Sequence, residues 1–193
     1  MKGYSIMRHS YIILSVICIL SVVYLVSQPI QSRVGKEMKL ESSAFKNSQT
    51  IPTEYTAEGE NVSPQLSWNG HPNKTHSFVI FVEDPDAPSA KNPAPKAYVH
   101  WVVFNIPHTV HKLDKAAAIH ALGGKEGKNG TGNNGYFGPK PPSNSGPHRY
   151  FFHVFALDKM LELPTGATKD EVQNAMKHHI LAQGELIGTY ETK

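Results

Sequence analysis

Cysteine is almost missing from these 193 residues. The single example, Cys18, sits inside an apolar run, so the chain beyond it has no thiol and can form neither an intramolecular disulfide nor a thiolate nucleophile. Cys18 itself reads as a small apolar residue, because "SVIC" has no small side chain immediately before the sulfur. Charge is also sparse, at 18% of residues, and the formal net charge of +3 is spread without a basic stripe, which argues against nucleic acid as a partner. No phosphate-binding Walker pattern occurs. The one literal G-x-G-x-x-G, Gly130 to Gly135, runs into "YFGPKPP" instead of opening a helix, so it is not a dinucleotide fingerprint.

With 39% hydrophobic residues, 15 Gly and 14 Pro, the chain has the profile of a compact, turn-rich domain. The N-terminus differs. Lys2 and Arg8 precede an apolar run from Tyr11 to Val26, so residues 1–27 are expected to be a signal peptide or a membrane anchor, residues 28–37 a tether, and residues 38–193 the domain. The expected location is outside the cytoplasm, either periplasmic or held at the membrane by that segment.

Short β-type runs broken by Pro, Gly and Asn dominate the domain: "SFVIFVED" at 77–84, "AYVHWVVFNI" at 97–106, "YFFHVFAL" at 150–157 and "GELIGTYE" at 184–191. "FVIFV" and "WVVF" are apolar on both faces and are expected at the centre of a sheet covered on each side. One helix is expected, over 168–184: Thr168 and Glu171 form a capping-box pattern, Val172, Met176 and Ile180 an apolar stripe, and Gly184 a stop. Residues 123–142 read as a long loop.

Three segments carry polar side chains that could make a site. In "SGPHRYFFHVFALD", His148 and Tyr150 share one strand face while Arg149 points to the other, and all three are expected at the strand's lip. "VEDPDAP" ends a strand with Asp84 and Asp86. "AYVHW" puts Tyr98 and His100 on one face.

Together, "ENVSPQLSW", "DPDAP", "VHWVVFNIP", "GPKPP" and "GPHRY" stand in the order seen in phosphatidylethanolamine-binding proteins, the family of the Raf kinase inhibitor protein, and "NIP", "ALD" and "LIGTYE" resemble its bacterial branch. The resemblance implies a mainly β fold, an antiparallel Greek-key β-sandwich with short helices, and a small anion pocket formed by Asp84, Asp86, Tyr98, His100, His148 and Tyr150, with Pro139 and Pro141 in its wall. It implies a non-catalytic protein binding a phosphate-bearing small molecule or a phospholipid headgroup, with no cofactor or resident metal, and a protein partner regulated through the same surface. Tyr98, Phe137 and Lys140 depart from the usual pattern, so the rim is expected to differ in shape and charge.

Two alternatives use the same residues. One is a hydrolase in which His148 or His100 is the general acid or base and Asp84 orients it, without a serine nucleophile because Ser145 lies in a loop. The other is a metal site of His100, His148 and Asp84 or Asp86.

Overall fold

The computed structural model describes residues 36–192. The expected signal or anchor segment and most of the tether lie outside the described residues. Among the described residues no helix is long and apolar enough to cross a membrane.

The fold is mainly β, with two sheets and one α-helix among the described residues. The strands are β1 (Lys36–Glu37), β2 (Lys39–Glu41), β3 (Gln49–Thr50), β4 (Leu66–Asn69), β5 (Ser77–Asp84), β6 (Tyr98–Pro107), β7 (Lys112–Leu113), β8 (Lys125–Glu126), β9 (His148–Leu157) and β10 (Ile180–Tyr190). The larger sheet runs β1-β10-β9-β5-β6-β8, with β3 also paired to β10; the smaller runs β2-β4-β7. Among the described residues strand pairing is already present at Lys36, two residues before the expected start of the domain.

The two central strands behave as their composition dictates. Their inward residues, among them Phe78, Ile80, Val82, Trp101 and Val103, join Leu40, Leu66, Trp68 and Leu113 of the small sheet in one buried cluster. Their other face, with Val79, Phe81, Val102 and Phe104, is covered by α1 (Lys169–Met176) and by Leu161 and Ala167 of the segment before it. The second cover is therefore a helix and a loop. Full burial of each such side chain stabilises the fold by about 1.5–3 kcal/mol.

Helix α1 has the expected capping box: the Glu171 amide donates to Thr168 Oγ1 and the Thr168 amide donates to Glu171 Oε2. It ends at Met176, eight residues short of the expected stop. Ile180 to Gly184 belong to β10, where Ile180 pairs with Leu157 and Gly184 with Val154. His179 fixes the turn between them by donating from Nδ1 to Asp158 Oδ1 at 2.8 Å. The region expected as one loop, 123–142, also contains β8, which pairs antiparallel with β6 at the edge of the large sheet.

β10 has β9 on one side and two short parallel segments on the other, β1 at Ala182–Gln183 and β3 at Gly188–Thr189. Glycine is required at both crossings. A Cβ on Gly184 would stand 2.5 Å from the Met38 carbonyl oxygen, and one on Gly188 would stand 2.5 Å from the Ile51 side chain.

Candidate functional site

Neighbouring strands bring the polar residues together at one end of the large sheet. Asp84 ends β5, Tyr98 and His100 begin β6, and His148 and Tyr150 begin β9, whose Phe151 pairs with Glu83 of β5. With the loop residues Ala87, Pro88, Phe137, Lys140, Pro141 and Pro142 they line a cavity of about 250 Å³. Six of the eight expected residues are lining residues: Asp84, Tyr98, His100, Pro141, His148 and Tyr150.

Asp86 and Pro139 are not. Asp86 turns to Arg149, accepting from its amide at 2.9 Å, from Nε at 2.9 Å and from Nη2 at 2.8 Å, so it braces the start of β9 from behind. These bonds hold the Asp86 carboxyl below its ordinary value. Pro139 is buried, and its carbonyl accepts from the Ala57 amide, which docks the wall loop on the body. The Gly138 amide adds a bond to Asn61 Oδ1 at 2.7 Å. His148 and Tyr150 do stand at the start of β9, but they are buried there, 0% and 1% exposed, while Arg149 between them faces out.

Each polar group has a definable role. Asp84 Oδ2 accepts from His148 Nδ1 at 2.7 Å and its Oδ1 accepts from the Asp86 amide at 2.8 Å. An ionised carboxylate can only accept, so the proton of His148 is fixed on Nδ1. On its other side His148 Nε2 lies 3.0 Å from Ser145 Oγ, whose hydroxyl donates when the ring is neutral. His100 Nδ1 donates to the Phe137 carbonyl at 2.6 Å, leaving Nε2 as the nitrogen available to a ligand. Burial pushes His100 below the ordinary histidine value, so its neutral form is favoured and Nε2 is an acceptor.

Tyr150 supplies the missing donor. Its hydroxyl is buried and meets no acceptor among the described residues in hydrogen-bond geometry, although the Asp84 carboxylate is near enough to interact with it. Burial, then the nearby Asp84 carboxylate, raise its ionisation far above the ordinary phenol value, so it stays protonated. Its ring packs edge-on to His100 at 5.1 Å, and Tyr98 lies 5.0 Å from His100 on the other side. Tyr98 in turn needs Gly130 beside it, where a Cβ would stand 2.4 Å from the ring. Sequence reasoning missed the Ser145 contact and the Phe137 carbonyl, which depend on loop conformation. Among the described residues no three His, Cys, Asp or Glu side chains gather as a metal site, and Asp84, Asp86 and His100 Nδ1 are each committed to protein partners.

The family model for phosphatidylethanolamine-binding protein matches residues 41–191. The chain belongs to this family. A UPF0098 protein of Methanothermobacter thermautotrophicus is 44% identical over 156 residues, covering 79% of this chain and 98% of the relative. Among solved structures, a phosphatidylethanolamine-binding protein homologue from Chlamydia trachomatis is similar with a TM-score of 0.74 and 38% identity, covering 82% of this chain and 99% of its own. Escherichia coli YbcL, described as a member of the mammalian family, gives 0.73 and 32%, covering 81% and 99%. Relatives thus occur in archaea and bacteria, and the shared region runs through every strand of the site.

Proposed function

We propose that the cavity binds a phosphate-bearing small molecule or phospholipid headgroup without chemical turnover. The observation that carries the reading is the Tyr150 hydroxyl, a buried donor without a partner on the wall of a cavity that also contains two histidines. Buried polar groups are nearly always paired, and a ligand oxygen is the partner this one lacks. Lys140 at the exposed rim adds positive charge. The family's name, phosphatidylethanolamine-binding protein, points to the same ligand class.

In this reading Tyr150 donates to one phosphate oxygen. Release of Ser145 frees His148 Nε2, which donates to another once the ring is protonated. His100 Nε2 accepts from the acidic proton of a monoprotonated phosphate, or donates after taking up a proton that the anion stabilises. Because burial lowers His100, anion binding and proton uptake are coupled and affinity rises as pH falls below the ordinary histidine value of about 6.5.

Calorimetric titration with phosphoethanolamine at pH 7.5 and 6.0 tests this, with His148→Ala expected to weaken binding by about 1.5–3 kcal/mol. Equal affinity in wild type and His148→Ala at both pH values would reject the site. Regulation of a protein partner and attachment to a membrane through residues 1–27 belong to the same proposal; fractionation of cells expressing the full chain tests the latter.

A second reading, hydrolysis, departs from the serine-free form expected from the sequence and rests on the series Asp84–His148–Ser145, joined by contacts of 2.7 and 3.0 Å. Its spacing is that of an oriented base beside a hydroxyl nucleophile. A fluorophosphonate probe that labels Ser145 in wild type and not in His148→Ala would favour it; an unlabelled wild type would remove it.

A further inference from the structure

We propose that His71 and His111 form a binding site for a late first-row divalent cation, Zn²⁺ or Cu²⁺, on the small sheet. The site shares no residue with the pocket and does not depend on what the pocket binds. The two residues are 40 apart in sequence, yet their Nε2 atoms lie 3.1 Å from each other.

The scaffold holds both rings. The chain leaves β4 at Asn69 and turns at Gly70, whose φ of 86° is left-handed, to deliver His71. His111 precedes β7, and its carbonyl accepts from the Trp68 amide at 3.0 Å, so β4 fixes it directly. Beneath them Phe78, fully buried, meets both imidazoles edge-on, at 5.2 Å for His71 and 6.2 Å for His111. The rings are thus preset by packing instead of swinging freely in solvent.

The nitrogen chemistry fits a ligand pair. His71 Nδ1 lies 3.2 Å from the Pro72 carbonyl and donates to it. A histidine that gives one N–H to a backbone carbonyl offers its other nitrogen as a lone pair, the arrangement that orients metal-binding imidazoles. Two nitrogens bound to one zinc at about 2.0–2.1 Å stand roughly 3.3 Å apart in a tetrahedral site and roughly 2.9 Å apart at a right angle. The observed separation falls between these, so metal entry needs only a few tenths of an ångström of movement. Without metal, His111 Nε2–H donates to His71 Nε2; on binding, His111 carries a proton on Nδ1 instead, by exchange with bulk solvent at this exposed residue. Two imidazoles and no thiolate select copper, zinc or nickel over magnesium or calcium. Because no third protein ligand of this kind gathers with them among the described residues, the remaining positions go to water or to an incoming donor.

The test is titration of the metal-stripped full-length chain with Zn²⁺ alone, and separately Cu²⁺ followed by electron paramagnetic resonance. Wild type should take one equivalent tightly, with nitrogen coupling in the copper spectrum. His71→Phe, which keeps an aromatic ring on Phe78 but removes the nitrogens, and His111→Ala should each weaken that equivalent by at least about tenfold. The exposed His178→Ala and the pocket variant His148→Ala should leave it unchanged. Wild-type affinity in a folded His71→Phe/His111→Ala double variant, or no tight equivalent in wild type, would overturn the proposal.

Discussion

Tyr150→Phe should stabilise the empty protein and weaken its ligand, two effects of opposite sign from one atom. The phenol ring is packed against His100, and phenylalanine keeps that contact. What disappears is a buried hydroxyl with no protein acceptor in hydrogen-bond geometry among the described residues, whose desolvation costs about 1–3 kcal/mol when unmet. The ligand-free variant should therefore gain about that much stability, several degrees in melting temperature for a domain of this size. In the complex the same hydroxyl donates to a charged oxygen, a bond worth about 1.5–3 kcal/mol, so phosphoethanolamine should bind about tenfold to a hundredfold more weakly. Thermal unfolding followed by circular dichroism, after extensive dialysis, measures the first effect and calorimetry the second. At saturating ligand the order of the two melting curves should reverse, because binding stabilises the wild type more. A variant that melts lower without ligand and binds equally well would show that the hydroxyl is satisfied within the protein, and the proposed donor would be lost.

Asp84→Ala removes the acceptor of both His148 Nδ1–H and the Asp86 amide inside the protein, so urea unfolding should show a loss of about 3–5 kcal/mol. Asn105, at a left-handed φ of 59° within β6, bonds the Leu161 amide and carbonyl at once; Asn105→Ala should lower stability by about 2–4 kcal/mol in the same assay, and an unchanged midpoint would contradict that role. Burial lowers His100 and His153, so the unfolded chain binds more protons than the folded one below about pH 6.5. Stability should then fall as pH drops from that value toward the lowered folded values and be insensitive to these groups above it; unfolding free energies that rise between pH 6.5 and 5, or a slope unaltered in His153→Leu, would refute the assignment.

The long strands were legible because their residues decide the matter locally. β5 appears over the stretch that its apolar run and the following Asp-Pro mark, and β9 and β6 differ from expectation only at their ends. The helix was overextended for an identifiable reason: Val172, Met176 and Ile180 keep helical spacing, but Ile180 also starts the alternation that buries Ala182, Gly184 and Leu186 against β9. Long-range pairing won over local periodicity. Two-residue strands such as β1, β3 and β8 have no periodicity to read. In the pocket, the strand-borne groups were identifiable from their motifs, whereas the Ser145 and Phe137 contacts were not, since loop conformation sets them. The orientation of Asp86 was not legible, because an acidic residue beside a pocket motif gives no sign of whether it faces the cavity or the Arg149 behind it.

The two short segments lying along β10 have a further consequence, for association between copies. An eleven-residue strand with one side open would offer a row of amides and carbonyls to any other extended chain. Here the carbonyls of Gln183, Ile187 and Thr189 already accept from Met38, Ser48 and Ile51, and the Ile187 amide donates to the Asn47 side chain. The seal is discontinuous, made of two brief parallel contacts between which the chain leaves to pair β2 with β4 in the small sheet, so its outer side presents no straight template for the next strand. Cleavage within residues 38–48 would unseal β10, and the first sign would be aggregation by edge pairing, arising at the side of the sheet and leaving the chemistry of the pocket residues untouched.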